Sequence, residues 1–246
     1  MSGHSKWSTI KHKKAAKDAQ KGKIFTKLSR VITVAVLEGG GIPDSDKNVK
    51  LRLAIEKARE ASMPKENIQR AIEKGHGPDK AALKEYLYEG FGPEGTALMI
   101  LVTTDNSNRS ISEVRNVLDR HGAKMGSQGS VSYLFQKCGY AVFEKSKNNE
   151  DKLYEFADAI VSFDIEEDAD SWTVYFPFEN LGKVDGTLGE LVPASQAELD
   201  YKPLTKVVIE DEKKARRILE IVEHLEELDD VQKVYGNFDL PEAVFA

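Results

Sequence analysis

Gly95-Thr96-Ala97-Leu98-Met99-Ile100-Leu101-Val102-Thr103-Thr104 is followed closely by Ser110-Ile111-Ser112-Glu113-Val114-Arg115-Asn116-Val117-Leu118-Asp119-Arg120-His121, and this pair of segments carries the fold class. The first is a continuous apolar run of strand length with a β-branched centre. The second spaces Ile111, Val114, Val117 and Leu118 along one helical face. Ser110 and Glu113 have the Ser-x-x-Glu form of a capping box, which starts the helix at Ser110. A further strand is expected over Ser130 to Gln136, completing a βαβ unit. The same order recurs near the end of the chain. A strand from Leu204 to Ile209 leads to a helix with Ala215, Ile218, Leu219, Val222 and Leu225 inward, then to a strand from Val231 to Tyr235. Two such right-handed units combine into one βαββαβ sandwich.

The residues between these units repeat the pattern. Tyr140–Phe143 reads as a strand, and Leu153, Phe156, Ala157 and Ile160 face inward from a helix. A hairpin follows from about Phe163 to Phe176. Leu181, Val184, Leu188 and Leu191 then mark a second helix, weakened by Gly182, Gly186 and Gly189, before a last strand from Ala197 to Tyr201. On the other side, residues 1–75 read as helices. Ile24, Leu28, Val31 and Ala35, flanked by Phe25, Ile32 and Val36, form one apolar face that ends at Gly39-Gly40-Gly41. A further helix runs from about Asn48 with Leu51, Ile55 and Ala58 inward. Another starts at Pro64, turns Ile68 and Ile72 inward and closes at Gly75. Gly75-His76-Gly77-Pro78 is the clearest linker. The expectation is an α+β chain: a basic helical domain over 1–77, a discontinuous ferredoxin-like domain over 78–137 and 202–246, and a second one inserted at 138–201.

Charge is divided unevenly along the chain. The first thirty residues hold nine Lys and Arg against a single acid, Asp18. Through Gly75 there are 17 basic and 8 acidic residues, a balance of +9, while the remainder has 18 and 33, a balance of −15. One end seeks polyanions and the body repels them. Lys6, Lys11, Lys13, Lys14, Lys17, Lys21, Lys23, Lys27 and Arg30 are therefore the candidate nucleic-acid contacts, with His12 among them and Trp7 as a stacking surface for a base. Lysine suits phosphate contact better than base reading. Gln69-Arg70 is the nearest approach to a base-reading pair, and no helix-turn-helix with a massed recognition helix is evident.

Two loops are candidate secondary contacts. Asn106, Arg109 and Ser110 stand where a strand meets a helix N-terminus, a natural place for a phosphate or carboxylate. Lys124 and Met125 lie in the glycine-rich Gly122–Ser130 connection. That connection lacks the Lys-Ser/Thr ending of a phosphate-binding loop, which argues against nucleotide hydrolysis. Asp164, Glu166, Asp168 and Asp170 alternate, but Ala169 and Tyr175 occupy the glycine and glutamate positions of a calcium loop. His4, His12, His76, His121 and His224 are scattered, without metal spacing to Cys138. Cys138 has no evident catalytic partner, and a lone cysteine suits a reducing compartment. No apolar run reaches the length of a membrane helix. The expectation is a cytoplasmic, non-enzymatic protein with no cofactor, metal, membrane or small-molecule substrate.

Several runs carry a family resemblance. Gly3-His4-Ser5-Lys6-Trp7, Ile10-Lys11-His12-Lys13-Lys14 and Gly22-Lys23-Ile24-Phe25-Thr26-Lys27-Leu28 open it. It continues through Gly39-Gly40-Gly41, Tyr88-Glu89-Gly90-Phe91-Gly92-Pro93, Gly95-Thr96-Ala97, Thr104-Asp105-Asn106, Asn108-Arg109 and Gly129-Ser130-Val131, ending near Asp229-Asp230-Val231-Gln232. Over essentially its whole length the chain resembles the YebC/PmpR family. Ser110 stands where members often have threonine. The resemblance implies a helical domain followed by two α/β domains. It also implies a DNA-binding transcriptional regulator acting on promoter DNA. Relatives that resemble translation factors imply an alternative, binding of ribosomal RNA on the ribosome to relieve stalling. A protein–protein adaptor working through the acidic domains is a third class.

Overall fold

The computed structural model describes residues 18–77, 82–191 and 193–245. They are α+β, with helices first and antiparallel sheets after. The chain divides into two compact units: Phe135–Thr205, and the residues on either side of it, up to Leu134 and from Lys206.

The flanking unit begins with α1 (Asp18–Glu38), α2 (Val49–Glu60) and α3 (Lys65–His76). The apolar stripe of α1 does what its spacing predicts. Leu28, Ile32, Ala35 and Val36 are buried against Leu51, Ile55 and Ala58 of α2 and Ile68 and Ala71 of α3. Helix α1 stops because Gly40 and Gly41 take φ of 76° and 78°, a region costly for any residue with a Cβ. Asn48 caps α2 by accepting from the Leu51 N–H, while its amide donates to the Ala35 carbonyl 2.8 Å away. Gly75 lies within α3 and does not end it. A Cβ there would fall 2.7 Å from the Thr33 carbonyl, so glycine sets the closeness of α1 and α3.

The α/β part of this unit contains β1 (Lys84–Phe91), β2 (Ala97–Thr104), α4 (Ser107–Arg120) and β3 (Lys124–Met125). After the other unit come β8 (Val207–Val208), α7 (Glu212–Glu227), β9 (Val231–Gly236) and β10 (Phe238–Asp239). The main sheet has the order β3-β1-β2-β9, antiparallel throughout. Ala215, Ile218, Leu219, Val222 and Leu225 of α7 and Val114 and Leu118 of α4 are buried in one core with Leu98, Ile100 and Val102 of β2.

Three expectations fail here. No strand spans Ser130–Gln136; Ser132–Leu134 is a 3-10 turn and the next strand starts at Phe135 in the other sheet. Of Leu204–Ile209 only Val207–Val208 is strand, paired in parallel with β10. The strand missing from the reading is β1, which precedes β2 and occupies the sheet position that a βαββαβ order gives to its third strand.

The second unit contains β4 (Phe135–Glu144), α5 (Glu150–Ala159), β5 (Asp164–Glu167), β6 (Ser171–Pro177), α6 (Val184–Thr187) and β7 (Gln196–Pro203). Its order, β5-β6-β4-β7 with antiparallel neighbours, is that of the ferredoxin-like sandwich. The expected helix over Leu181–Leu191 shrinks to a 3-10 stretch, Phe178–Lys183, and the single turn of α6. Leu181, Val184 and Leu191 remain buried, so the apolar spacing survives where glycine forbids a long helix.

Candidate nucleic-acid interface

Of the cations assigned to nucleic acid, Lys6, Lys11, Lys13, Lys14 and Lys17 lie outside the described residues, as do Trp7 and His12. Lys21 and Lys23 are exposed on the first turns of α1. The next two cations turn inward. Lys27 Nζ donates to the Glu226 carbonyl at 2.5 Å, and the Arg30 guanidinium donates to the Asp229 carbonyl at 2.6 Å and pairs with the Asp230 carboxylate. Their i, i+3 spacing places both on one side of α1. Lys27 meets a carbonyl of the last turn of α7, one of those with no partner inside the helix, and Arg30 meets the Asp229 carbonyl in the link between α7 and β9. Lys27 and Arg30 therefore join the helical domain to the α/β domain.

Asp230 is the centre of that joint. Its side chain is 4% exposed, and it sits just before β9. It accepts from Ser110 Oγ at 2.6 Å, Arg109 at 2.8 Å and Thr104 Oγ1 at 2.9 Å, besides pairing with Arg30. Burial pushes its carboxyl up, but the hydrogen bonds from Ser110, Arg109 and Thr104 and the field of Arg30 outweigh it and hold the group at about 2.

The secondary contacts expected at this strand–helix corner are thus occupied within the chain. Asn106 caps α4 by accepting from the Arg109 N–H at 3.1 Å. The helix begins at Ser107, and Ser110, buried inside its first turn, spends its hydroxyl on Asp230 rather than on a capping box. Arg109 serves two carboxylates, Asp105 at 3.0 Å and Asp230 at 2.8 Å.

The Gly122–Ser130 connection is held by a residue the sequence reading did not single out. Glu89 is buried in β1, and its carboxylate accepts from the N–H groups of Gly129 at 2.7 Å, Val131 at 2.6 Å and Ser132 at 2.9 Å. Burial raises its pKa, and these amides more than reverse that, leaving it below the ordinary carboxylate value. In the sequence Glu89 stood only within the Tyr88–Pro93 run that carries the resemblance, with no sign of the amides it holds. Lys124 is exposed opposite Phe91, while Met125 packs against the core. An open groove of about 530 Å³ lies between Ile111, Arg115 and Asp119 of α4 and Lys124, Met125, Gly126 and Ser127. Arg115, a cation without a motif, thus lines the same groove as Lys124, with Asp119 also in the lining.

Elsewhere the candidate chemistry is accounted for by internal contacts. Asp164 and Glu166 both pair with Lys202, at 2.8 and 2.7 Å. Cys138 is buried, its Sγ 3.7 Å from the Asp200 carbonyl. Gln69 and Arg70 on α3 make pairs along their own helix, with Glu73 at 3.2 Å and Glu66 at 3.7 Å. Among the described residues no group of three or more His, Cys, Asp or Glu side chains could hold a metal ion. No helix among them is long and apolar enough to cross a membrane.

Comparison with known proteins gives a consistent result. Residues 5–78 match a family model described as the TACO1/YebC protein N-terminal domain, and residues 83–238 match the TACO1/YebC second and third domain. A "probable transcriptional regulatory protein" of Aquifex aeolicus is 45% identical over 246 residues, 99% of this chain and 98% of that one. One of the same description from Rubrobacter xylanophilus is 45% identical over 100% of this chain and 98% of its own. The crystal structure of a conserved hypothetical protein from Aquifex aeolicus superposes with a TM-score of 0.82 at 43% identity, covering 93% of this chain and 96% of that chain.

Proposed function

The chain belongs to the TACO1/YebC family, and we propose that it is a non-enzymatic regulator of gene expression that holds nucleic acid by the phosphates. The observation that carries this reading is the charge division, +9 through Gly75 against −15 beyond it. Relatives named as transcriptional regulators support a regulatory role. The contact surface is the lysine-rich start, Lys6, Lys11, Lys13, Lys14 and Lys17, continued by Lys23 on α1, with Trp7 as a base-stacking residue and His12 as a further contact. Lys124 and Arg115 form a subsidiary patch. Lys27, Arg30 and Arg109 are left out because carbonyls and carboxylates of the chain already occupy them. Affinity comes from phosphate neutralisation, and the acidic body limits how much nucleic acid is covered.

DNA is the target that the names of the relatives favour. Ribosomal RNA is the second reading, favoured by one observation: the sequence masses no Arg, Asn or Gln on a recognition helix, and Gln69-Arg70 is the nearest approach to one. Sedimentation of a cell lysate at low and raised salt separates the two. Co-migration with ribosomal particles, lost on changing Lys11, Lys13, Lys14 and Lys17 to Ala, supports the RNA reading. Absence from those fractions with salt-sensitive retention on promoter DNA supports the DNA reading. Retention on neither overturns both.

A further inference from the structure

His121 and His224 share no motif, and the fold places their rings in contact. His121 closes α4 and His224 stands in the last turn of α7. The ring centroids are 4.7 Å apart, with planes inclined by 34°. His121 Nδ1 lies 2.9 Å from the Val117 carbonyl, and His224 Nδ1 lies 2.7 Å from the Glu220 carbonyl. A carbonyl oxygen only accepts, so each Nδ1 carries the proton and donates it. Each neutral ring therefore keeps its lone pair on Nε2, the tautomer fixed in the way metal-binding histidines are fixed.

The ring spacing has a chemical meaning. An ion about 2.0–2.1 Å from a ring nitrogen lies about 3.2 Å from that ring's centroid, so two imidazoles sharing it at 90–109° have centroids about 4.5–5.2 Å apart. The observed separation falls inside that interval. Both histidines also stand at helix C-terminal ends, whose carbonyls favour a cation.

We propose that His121 and His224 form a two-histidine clamp for a borderline divalent ion of the zinc type, tying α4 to α7, with water or a donor from another molecule completing the coordination. The chemistry suits zinc over magnesium or calcium, which prefer oxygen ligands. Arg217 donates its Nε to the backbone carbonyl of His121 at 3.1 Å, which fixes that guanidinium at the end of α4. The clamp is independent of nucleic-acid binding.

The test uses the full chain labelled with ¹⁵N, titrated with zinc chloride at pH 7.5. Imidazole nitrogen resonances are followed by NMR, and heat by calorimetry. The expected result is that zinc moves the Nε2 resonances of His121 and His224 together. His121→Gln and His224→Gln should each weaken zinc at this site by about tenfold or more, and the double variant should be no worse than either single one. Equal melting of all four proteins in chelator, with a zinc-dependent rise in the parent alone, excludes a folding defect as the cause. His4, His12 and His76 report separately through their own resonances. Zinc that leaves both rings unmoved, or a single variant that keeps the parent affinity at the other ring, overturns the proposal.

Discussion

Replacing Asp230 by Asn keeps the shape of the side chain and removes the charge that Arg30 and Arg109 share. Two routes give the size of the effect. The carboxyl stands at about 2 against an ordinary 3.8, and that gap corresponds to about 2 kcal/mol of folding stability. Removing one partner of a buried charge pair costs about 3–5 kcal/mol, since the remaining charge is left uncompensated. Asn also turns an amide toward donors that need an acceptor. The charges left behind, Arg30 and Arg109, are 23% and 44% exposed, so solvent screens part of this and the lower end of the range applies. A loss of about 3 kcal/mol at pH 7 is expected, equivalent to a fall of roughly 6–12 °C in melting temperature for a chain of this size. Urea unfolding followed by circular dichroism measures it. The neighbouring Asp229→Asn is the control, because only the Asp229 carbonyl is used and its side chain is exposed. The pH dependence has a fixed sign. The folded pKa lies below the unfolded one, so the stabilisation is complete above the unfolded value and drains as pH falls toward about 2. Parent and variant should converge over that window. A loss below about 0.5 kcal/mol at pH 7, or one matched by Asp229→Asn, would refute the account of the joint.

Other outcomes follow from the same contacts. Glu89→Gln weakens the anchor of three amides. It should cost about 1.5–3 kcal/mol and speed hydrogen exchange at Gly129, Val131 and Ser132 relative to the β2 amides. Changing Lys11, Lys13, Lys14 and Lys17 to Ala should flatten the log–log salt dependence of duplex binding by about 3.6, whereas Lys27→Ala should leave that slope unchanged and lower stability. A Cβ in Gly75→Ala meets the Thr33 carbonyl at 2.7 Å, and thermal melting should show a loss of about 1–3 kcal/mol.

Much of the fold was legible because burial obeys periodicity. The α7 positions read as inward are all buried, and the α1 stripe forms the helical core. What escaped had physical cause. Strand β1 hid because Glu85, Glu89 and Gly90 interrupt its alternation, and Glu89 is inward as an anchor for amides that only the fold brings near. The strand expected at Ser130–Gln136 was misplaced because the apolar pattern runs on into β4, whose partner β7 is distant in sequence. The candidate site was legible as charge and not as geometry. Spacing identifies Lys27 and Arg30 as basic residues of one helix. It does not contain the Glu226 and Asp229 carbonyls or the carboxylate of Asp230 that claim them. Asn106, Arg109 and Ser110 looked like a ligand cradle for the same reason: polar residues at a helix start serve a joint or a ligand with equal economy of sequence.

The most direct measurement is the affinity of the intact chain for a single-stranded RNA and a duplex DNA across a series of salt concentrations. Six lysines on phosphates, Lys6, Lys11, Lys13, Lys14, Lys17 and Lys23, predict a log–log slope of about −4 on the single strand and about −5 on the duplex. A slope near zero on both, or binding undiminished when those lysines are neutralised, would contradict a phosphate-holding basic end.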